Sequence, residues 1–373
     1  ETAILKQMKL IDPAKNAVWN KALAKLDSVQ PFDAENIEAH RHYWKGDYTT
    51  HLRKQFHFNV RLASSRTNKS ESGNGENMLG RNMSDGATNI QVFGPEYYNI
   101  MPVWEWDKIP GTTTRDYPGD LELKEQWGAL AANNFAGGVS NDKTGASAMS
   151  VDYDGVKAQK AWFFFDREIV CLGAGIHCAA PEAVVTTLNQ TWLNGPVVWN
   201  GKETSMLDSV QRIVKKGEFI THNNVLYYFP TAMNVGLTTK DQVGSWYRIN
   251  RSRSKDAVHG KVFKLWFDHA VAPNNASYAY IVLPGTKTVD KKVMQRIKIW
   301  QNTPDIQAVE HKGSGILQLV CYQAGTYQVG DWSIKLDQPA IMQLNLLEPK
   351  KIQLDIADPL QKAKIVKVQL VNK

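Results

Sequence analysis

Between Ser70 and Asn89 the sequence SESGNGENMLGRNMSDGATN gathers Glu71, Asn74, Glu76, Asn77, Arg81, Asn82 and Asp85 among Gly73, Gly75, Gly80 and Gly86. Asparagine amides and an arginine guanidinium donate hydrogen bonds to carboxylate or sulfate oxygens. The glycines permit unusual backbone angles and close approach of a ligand. Such a loop suits an anionic partner, but the same composition describes a solvated hairpin connection, and composition alone leans that way. A second group lies in VWEWDKIPGTTTRDY, where Glu105 and Asp107 stand at i and i+2 and Asp116 follows nine residues on. Converging carboxylates suit a hard cation such as calcium, which takes several oxygen ligands. Ordinary ion pairs on an exposed strand explain the spacing at least as well.

Two further patterns are weaker. His40 and His42 in HRHYW share a strand face and could hold a metal or exchange protons, but no third ligand stands nearby. Asp152 and Asp154 in DYDG resemble the carboxylate pair of a glycosidase, and turn chemistry accounts for Asp-Gly equally well. NNFAGGVS, Asn133 to Ser140, reads as a Gly- and Asn-rich loop six residues beyond Trp127. An aromatic beside a polar loop is how sugar platforms are often built, and also how loops are anchored. No nucleophile elbow, phosphate-binding loop or dinucleotide fingerprint is present.

The elements that must carry these residues are mostly strands. HFNVRLAS alternates Phe58, Val60 and Leu62 with polar neighbours, as a half-buried strand does. KVFKLWFDH alternates Phe263, Leu265 and Phe267 in the same way. AWFFFDREIVCLGAGI and YAYIVLPG are apolar throughout, which fits strands covered on both faces. Asn-Gly in WNGK marks a hairpin turn. Only the start is helical. Asp12 is placed to cap and Pro13 to open a helix, with Trp19, Ala22, Leu23 and Leu26 along one face. The expected architecture is mainly β, with four parts. Residues 1–30 form a terminal helix, 31–285 a large antiparallel multi-sheet sandwich, 286–298 a linker and 299–373 a small second β sandwich.

Composition narrows the partners. The 373 residues are enough for two or three domains. Lys and Arg exceed Asp and Glu by seven, which favours an anionic partner. No block of basic residues stands out, so a nucleic-acid partner is not expected. Cys171, Cys178 and Cys321 are too few for a disulfide framework, and none has a histidine at zinc-site spacing. No apolar run approaches the roughly twenty residues of a membrane helix.

Taken together, SSRTNKSESGNGENMLGRNMSDGATN, FGPEYYNIMPVWEWDKIPGTTTRDY, NNFAGGVS, KAWFFFDREIVCLGAGI and TTLNQTWLNGPV resemble polysaccharide lyase family 8, most nearly its chondroitin AC lyase type. The resemblance runs from the first helix to IADPLQKAK. It implies an N-terminal α/α toroid, a central supersandwich of the galactose mutarotase-like kind and a C-terminal β sandwich. The initial helix is then the last helix of a toroid otherwise absent from this sequence. The implied reaction is β-elimination on glycosaminoglycans, chondroitin sulfate or hyaluronan, by a secreted or periplasmic bacterial enzyme acting as a monomer. Asn74 matches the family asparagine that neutralises the uronate carboxylate, and Glu71 the glutamate that orients catalytic side chains. Trp127 matches a tryptophan of the substrate cleft, with Asn77 and Arg81 as further substrate-binding candidates. Glu105, Asp107, Asp116 and Tyr117 match calcium ligands. The family's tyrosine, histidine and clamp arginines belong to the toroid, and no motif here carries them. The implied expectation is that this chain alone is inactive. A non-catalytic glycosaminoglycan-binding protein with the same fold is the alternative.

Overall fold

The computed structural model describes residues 2–27, 38–204, 210–347, 352–363 and 365–372. The chain is mainly β, as expected. At its centre, among the described residues, is a nine-stranded antiparallel sheet running from Lys202–Glu203 at one edge, through Ala276–Pro284, Ile169–His177 and Val156–Phe164, to Ala136–Ser140 at the other. One face packs on two further sheets. The first is formed by Ala39–Tyr43, Tyr48–Arg53, Phe56–Arg61 and Ala87–Gln91; the second is built around Val258–Val271 and Ala183–Trp192. Trp162, Phe164 and Cys171 point into this core with Phe58, Leu188, Leu265 and Phe267. The alternate residues Phe163, Val170 and Leu172 point the other way, against Val309, Val320 and Ile341 of the C-terminal sandwich. AWFFFDREIVCLGAGI is apolar without alternation because both of its faces are covered.

Several of the sequence expectations need correction. The N-terminal segment holds two helices, Thr2–Ile11 and Asn16–Asp27, separated by a short 3-10 turn at Pro13–Lys15. Asp12 makes no side-chain cap; its carboxylate pairs with Lys15 at 3.1 Å. The expected end of this segment near residue 30 lies outside the described residues. NNFAGGVS is not a loop, since Ala136–Ser140 is the edge strand of the nine-stranded sheet. In KVFKLWFDH the outward residues Lys264 and Trp266 are buried as well, because the loop carrying Glu105 and Lys108 lies over them. The expected linker contains a short helix, Lys291–Met294, and the start of the strand Ile297–Asn302. WNGK does turn a hairpin, with Asn200 and Gly201 at positive φ and Trp199 opposite Lys202.

His40 belongs to the core, and the half-buried His42 is hydrogen-bonded to Thr49 at 2.9 Å. His40 is 0 % exposed, and its ring lies 5.4 Å from that of His51, with Phe164 in contact with both. Burial lowers His40 to about 3 and His42 to about 4, and drives His51 well below the ordinary value. His222 and His269 are lowered to about 3 and about 4 for the same reason. Neutral imidazoles in the fold and titratable ones in the unfolded chain give a definite sign. This stability is complete above the unfolded pKa near 6.5 and is lost as pH falls toward the folded values. Each histidine is expected to cost on the order of 1–2 kcal/mol by pH 5. Urea unfolding followed from pH 7.5 to 5 checks this; a midpoint that does not move contradicts it.

Candidate active site

The loop that opened the sequence is anchored at both ends. The strand Asn68–Ser72 pairs with Gln126–Leu130 in a two-stranded ribbon. Beneath the loop, the buried Lys69 ammonium pairs with Asp85 and lies 3.1 Å from the centre of the Tyr153 ring. Ser84 donates to the Lys69 carbonyl at 2.8 Å, and the Gly86 N–H donates to the Arg61 carbonyl at 3.0 Å. Between these anchors the chain reverses over residues 73–76. The Glu76 N–H donates to the Gly73 carbonyl at 2.8 Å, and Asn74 and Gly75 have φ of 53° and 73°. Asparagine and glycine are the residues that tolerate this left-handed pair.

The turn presents Asn74 outward. Its side chain is exposed, and its amide has no partner among the described residues. Trp127 is 60 % exposed, and its indole lies directly against Gly73; a Cβ there would sit 2.1 Å from the ring. The Trp127 N–H donates to Glu125 at 3.2 Å. Glu71 is exposed on the same ribbon and accepts from the Asn68 amide at 3.3 Å. Glu71, Asn74 and Trp127 are therefore brought together. Asn77 is close by but inward-turned, with its amide donating to the Glu71 carbonyl at 2.6 Å.

Arg81 does not face this surface. It is 4 % exposed, and its guanidinium is held by Asp107 at 2.5 Å and Asp154 at 2.9 Å. This corrects its reading as a substrate contact. Asp107 is buried and Asp154 half-buried, and Arg81 supplies both with a fixed counter-charge. Asp154 also accepts from the Tyr117 hydroxyl at 2.9 Å and pairs with Arg115 at 3.1 Å. It occupies the Asp154-Gly155 turn between two strands, with both residues at positive φ, so the turn reading of DYDG holds and this carboxylate is already engaged.

The expected calcium ligands are near one another but not arranged as a shell. Glu105 and Asp116 converge on the Lys108 ammonium, with Glu105 at 3.2 Å, and Glu105 also pairs with Lys264. Asp107 turns to Arg81 and accepts the Tyr117 N–H at 3.3 Å, while the Tyr117 hydroxyl points to Asp154. Among the described residues no three acidic, histidine or cysteine side chains are grouped to hold a metal. The carboxylate chemistry suits a hard cation, but in this arrangement an ammonium occupies the point of convergence and the set does not fit calcium as it stands.

A basic loop was missed in the sequence. RINRSRSK places Arg248, Arg251, Arg253 and Lys255 at intervals of two or three residues, a sparser signal than a contiguous run. The fold lays this loop against the Asn74 turn. The Arg251 N–H donates to the Gly75 carbonyl at 2.8 Å, the Met78 N–H to the Ile249 carbonyl at 2.9 Å, and the Asn250 amide to Glu76 at 3.3 Å.

The model of the polysaccharide lyase family 8 super-sandwich domain matches residues 38–294, and that of the family's C-terminal β-sandwich domain matches residues 298–367. The chain belongs to polysaccharide lyase family 8. It is 49 % identical over 360 residues to chondroitinase-AC of Pedobacter heparinus, covering 95 % of this chain and 51 % of that protein. Hyaluronate lyase of Thermasporomyces composti is 28 % identical, with 91 % and 45 % covered. A solved chondroitinase AC lyase superimposes with a TM-score of 0.93 at 46 % identity, over 99 % of this chain and 55 % of that one. This family 8 chain thus spans about half the length of the curated relatives it matches. Among its described residues no helix is long and apolar enough to cross a membrane.

Proposed function

We propose that this chain is the β portion of a glycosaminoglycan lyase that cleaves chondroitin sulfate or hyaluronan by β-elimination. The observation that carries the reading is the unpartnered Asn74 amide, exposed on a rigid turn beside the open face of Trp127. A uronate C5 proton is weakly acidic while the adjoining carboxylate keeps its charge. Amide donors already aimed at that carboxylate stabilise the enolate-like anion as the proton leaves, and the C4–oxygen bond then breaks. Trp127 offers a flat face to a sugar ring. Glu71, exposed and steadied by the Asn68 amide, would orient cationic or imidazole groups from an α/α toroid, in the same or a separate chain, which would supply the proton transfer. The net positive charge agrees with an acidic polymer. Such polymers lie outside the cytoplasm, so secretion or a periplasmic location follows, and the enzyme acts as a monomer.

Protein carrying this region together with its toroid is expected to release unsaturated uronate products from chondroitin sulfate or hyaluronan, read by their ultraviolet absorbance. The 373-residue chain alone is expected to release none. Glycan binding by the toroid-containing protein without any unsaturated product would replace the lyase with a non-catalytic binding protein.

Calcium belongs to the same reading as a structural ion held by Glu105, Asp107 and Asp116 near Tyr117, which requires the buried Lys108 side chain to leave its place between Glu105 and Asp116. Calcium added to chelator-stripped chain is then expected to raise the melting temperature by several degrees, since a ligand that binds only the folded state stabilises it. Identical melting in calcium and in chelator would leave Lys108 as the permanent counter-ion.

A further inference from the structure

The geometry points to Arg253 and Lys255 as a second anion-binding subsite that adjoins the Asn74 turn and holds acidic groups of the same polysaccharide. The inference rests on the lyase reading for the identity of the polymer, but its physical basis is separate. The loop of residues 247–255 is fixed to the turn by the three hydrogen bonds at Gly75, Met78 and Glu76. It also packs there closely. A Cβ on Gly75 would lie 2.8 Å from the Arg251 side chain, so turn and loop form one surface.

The four cations of the loop divide into two pairs with different tasks. Arg248 is held by Asp120 at 2.6 Å, and Arg251 by Glu122 and by the Tyr247 carbonyl at 2.8 Å. These two are internally neutralised and serve to fix the loop. Arg253 is exposed and has no carboxylate partner among the described residues. The exposed Lys255 ammonium lies 4.6 Å from the Tyr247 ring centre, a contact that orients it without cancelling its charge. The nearby acid, Asp256, accepts from the Ser254 hydroxyl at 2.6 Å and forms no ion pair with either cation. An uncompensated pair of cations two and four residues beyond the contact with Gly75, carried on a fixed loop backbone, suits a polyanion whose charges recur along the chain. Sulfate and carboxylate are both candidates for the groups held, and two immobilised polymers separate them.

The test is salt-gradient elution of the 373-residue chain from immobilised chondroitin sulfate and from immobilised hyaluronan. Wild-type chain is expected to be retained, and R253A/K255A to bind about tenfold more weakly, eluting at lower salt. R253K/K255R is expected to restore retention. K312A/K335A, which removes the same charge from exposed positions of the C-terminal sandwich, is expected to elute near wild type. A difference confined to chondroitin sulfate identifies sulfate as the group held; a difference on both columns identifies the carboxylate. No retention of wild type, equal shifts for the two double alanine variants, or no shift for R253A/K255A overturns the subsite. None of those results bears on product release, which tests the lyase reading by itself. Conversely, retention that depends on Arg253 and Lys255 in a protein that releases no product keeps the subsite and removes the lyase.

Discussion

Replacing Asn74 with alanine in the toroid-containing protein is expected to lower kcat by about 10²- to 10³-fold, with a much smaller change in KM. Removing one pre-aimed donor from a developing oxyanion acts on the transition state more than on the bound ground state. The fold gives a way to separate this from simple damage. Asn74 has φ of 53°, which alanine adopts at a cost of roughly 1–2 kcal/mol. Glycine adopts it freely. Asn74→Gly therefore keeps the turn, with its 2.8 Å Glu76-to-Gly73 bond, while deleting the amide. Both variants are expected to lose turnover alike. If the glycine variant keeps activity within about threefold of wild type, the amide is not the donor.

The largest expected effect on stability is at Arg81. Its guanidinium is the shared counter-ion of Asp107 and Asp154, and Asp107 is only 8 % exposed. Burial already pushes the Asp107 carboxyl above its ordinary range despite the arginine beside it. Arg81→Met is expected to destabilise the chain by about 3–5 kcal/mol, because one partner of a buried pair leaves the other charge uncompensated. Apparent melting temperature measured at a fixed scan rate reports it. Arg81→Met combined with Asp107→Asn is expected to recover part of the loss, since the stranded charge goes with its partner. A single variant that melts within about 2 °C of wild type would show that water reaches these carboxylates.

The parts of the fold visible in the sequence are those governed by short-range pattern. The alternation of Phe58, Val60 and Leu62 and the Asn-Gly of WNGK each carry their own structural signal, and each appears where expected. KVFKLWFDH shows where that signal ends. Its outward Lys264 and Trp266 look solvated in sequence and are buried in the fold, because Glu105 and Lys108 from a distant loop cover them. Arg81 has the same cause. A guanidinium among glycines and asparagines reads as a ligand for anions, and it is one, but the anions are the protein's own. The Asn74 turn was partly legible, because Asn-Gly tolerates positive φ and glutamate three residues earlier fits the family pattern. The basic loop beside it was not, since its residues lie about 175 positions downstream and nothing local connects them to the turn.

That separation governs when the site comes into being. The Asn250-to-Glu76 contact spans 174 residues, and the ribbon strand Gln126–Leu130 supplies the Trp127 face from about fifty residues past the turn. On a ribosome the Asn74 segment emerges long before residues 249–251 exist to accept and donate its hydrogen bonds. For that interval the turn is an ordinary polar loop, and it is locked only once residues 249–251 have been made. Fragments ending before residues 247–255 would therefore retain the residues of the turn but not its fixed form. The site is assembled late, by closure of distant contacts, and its integrity reports on whether the central sandwich has finished folding.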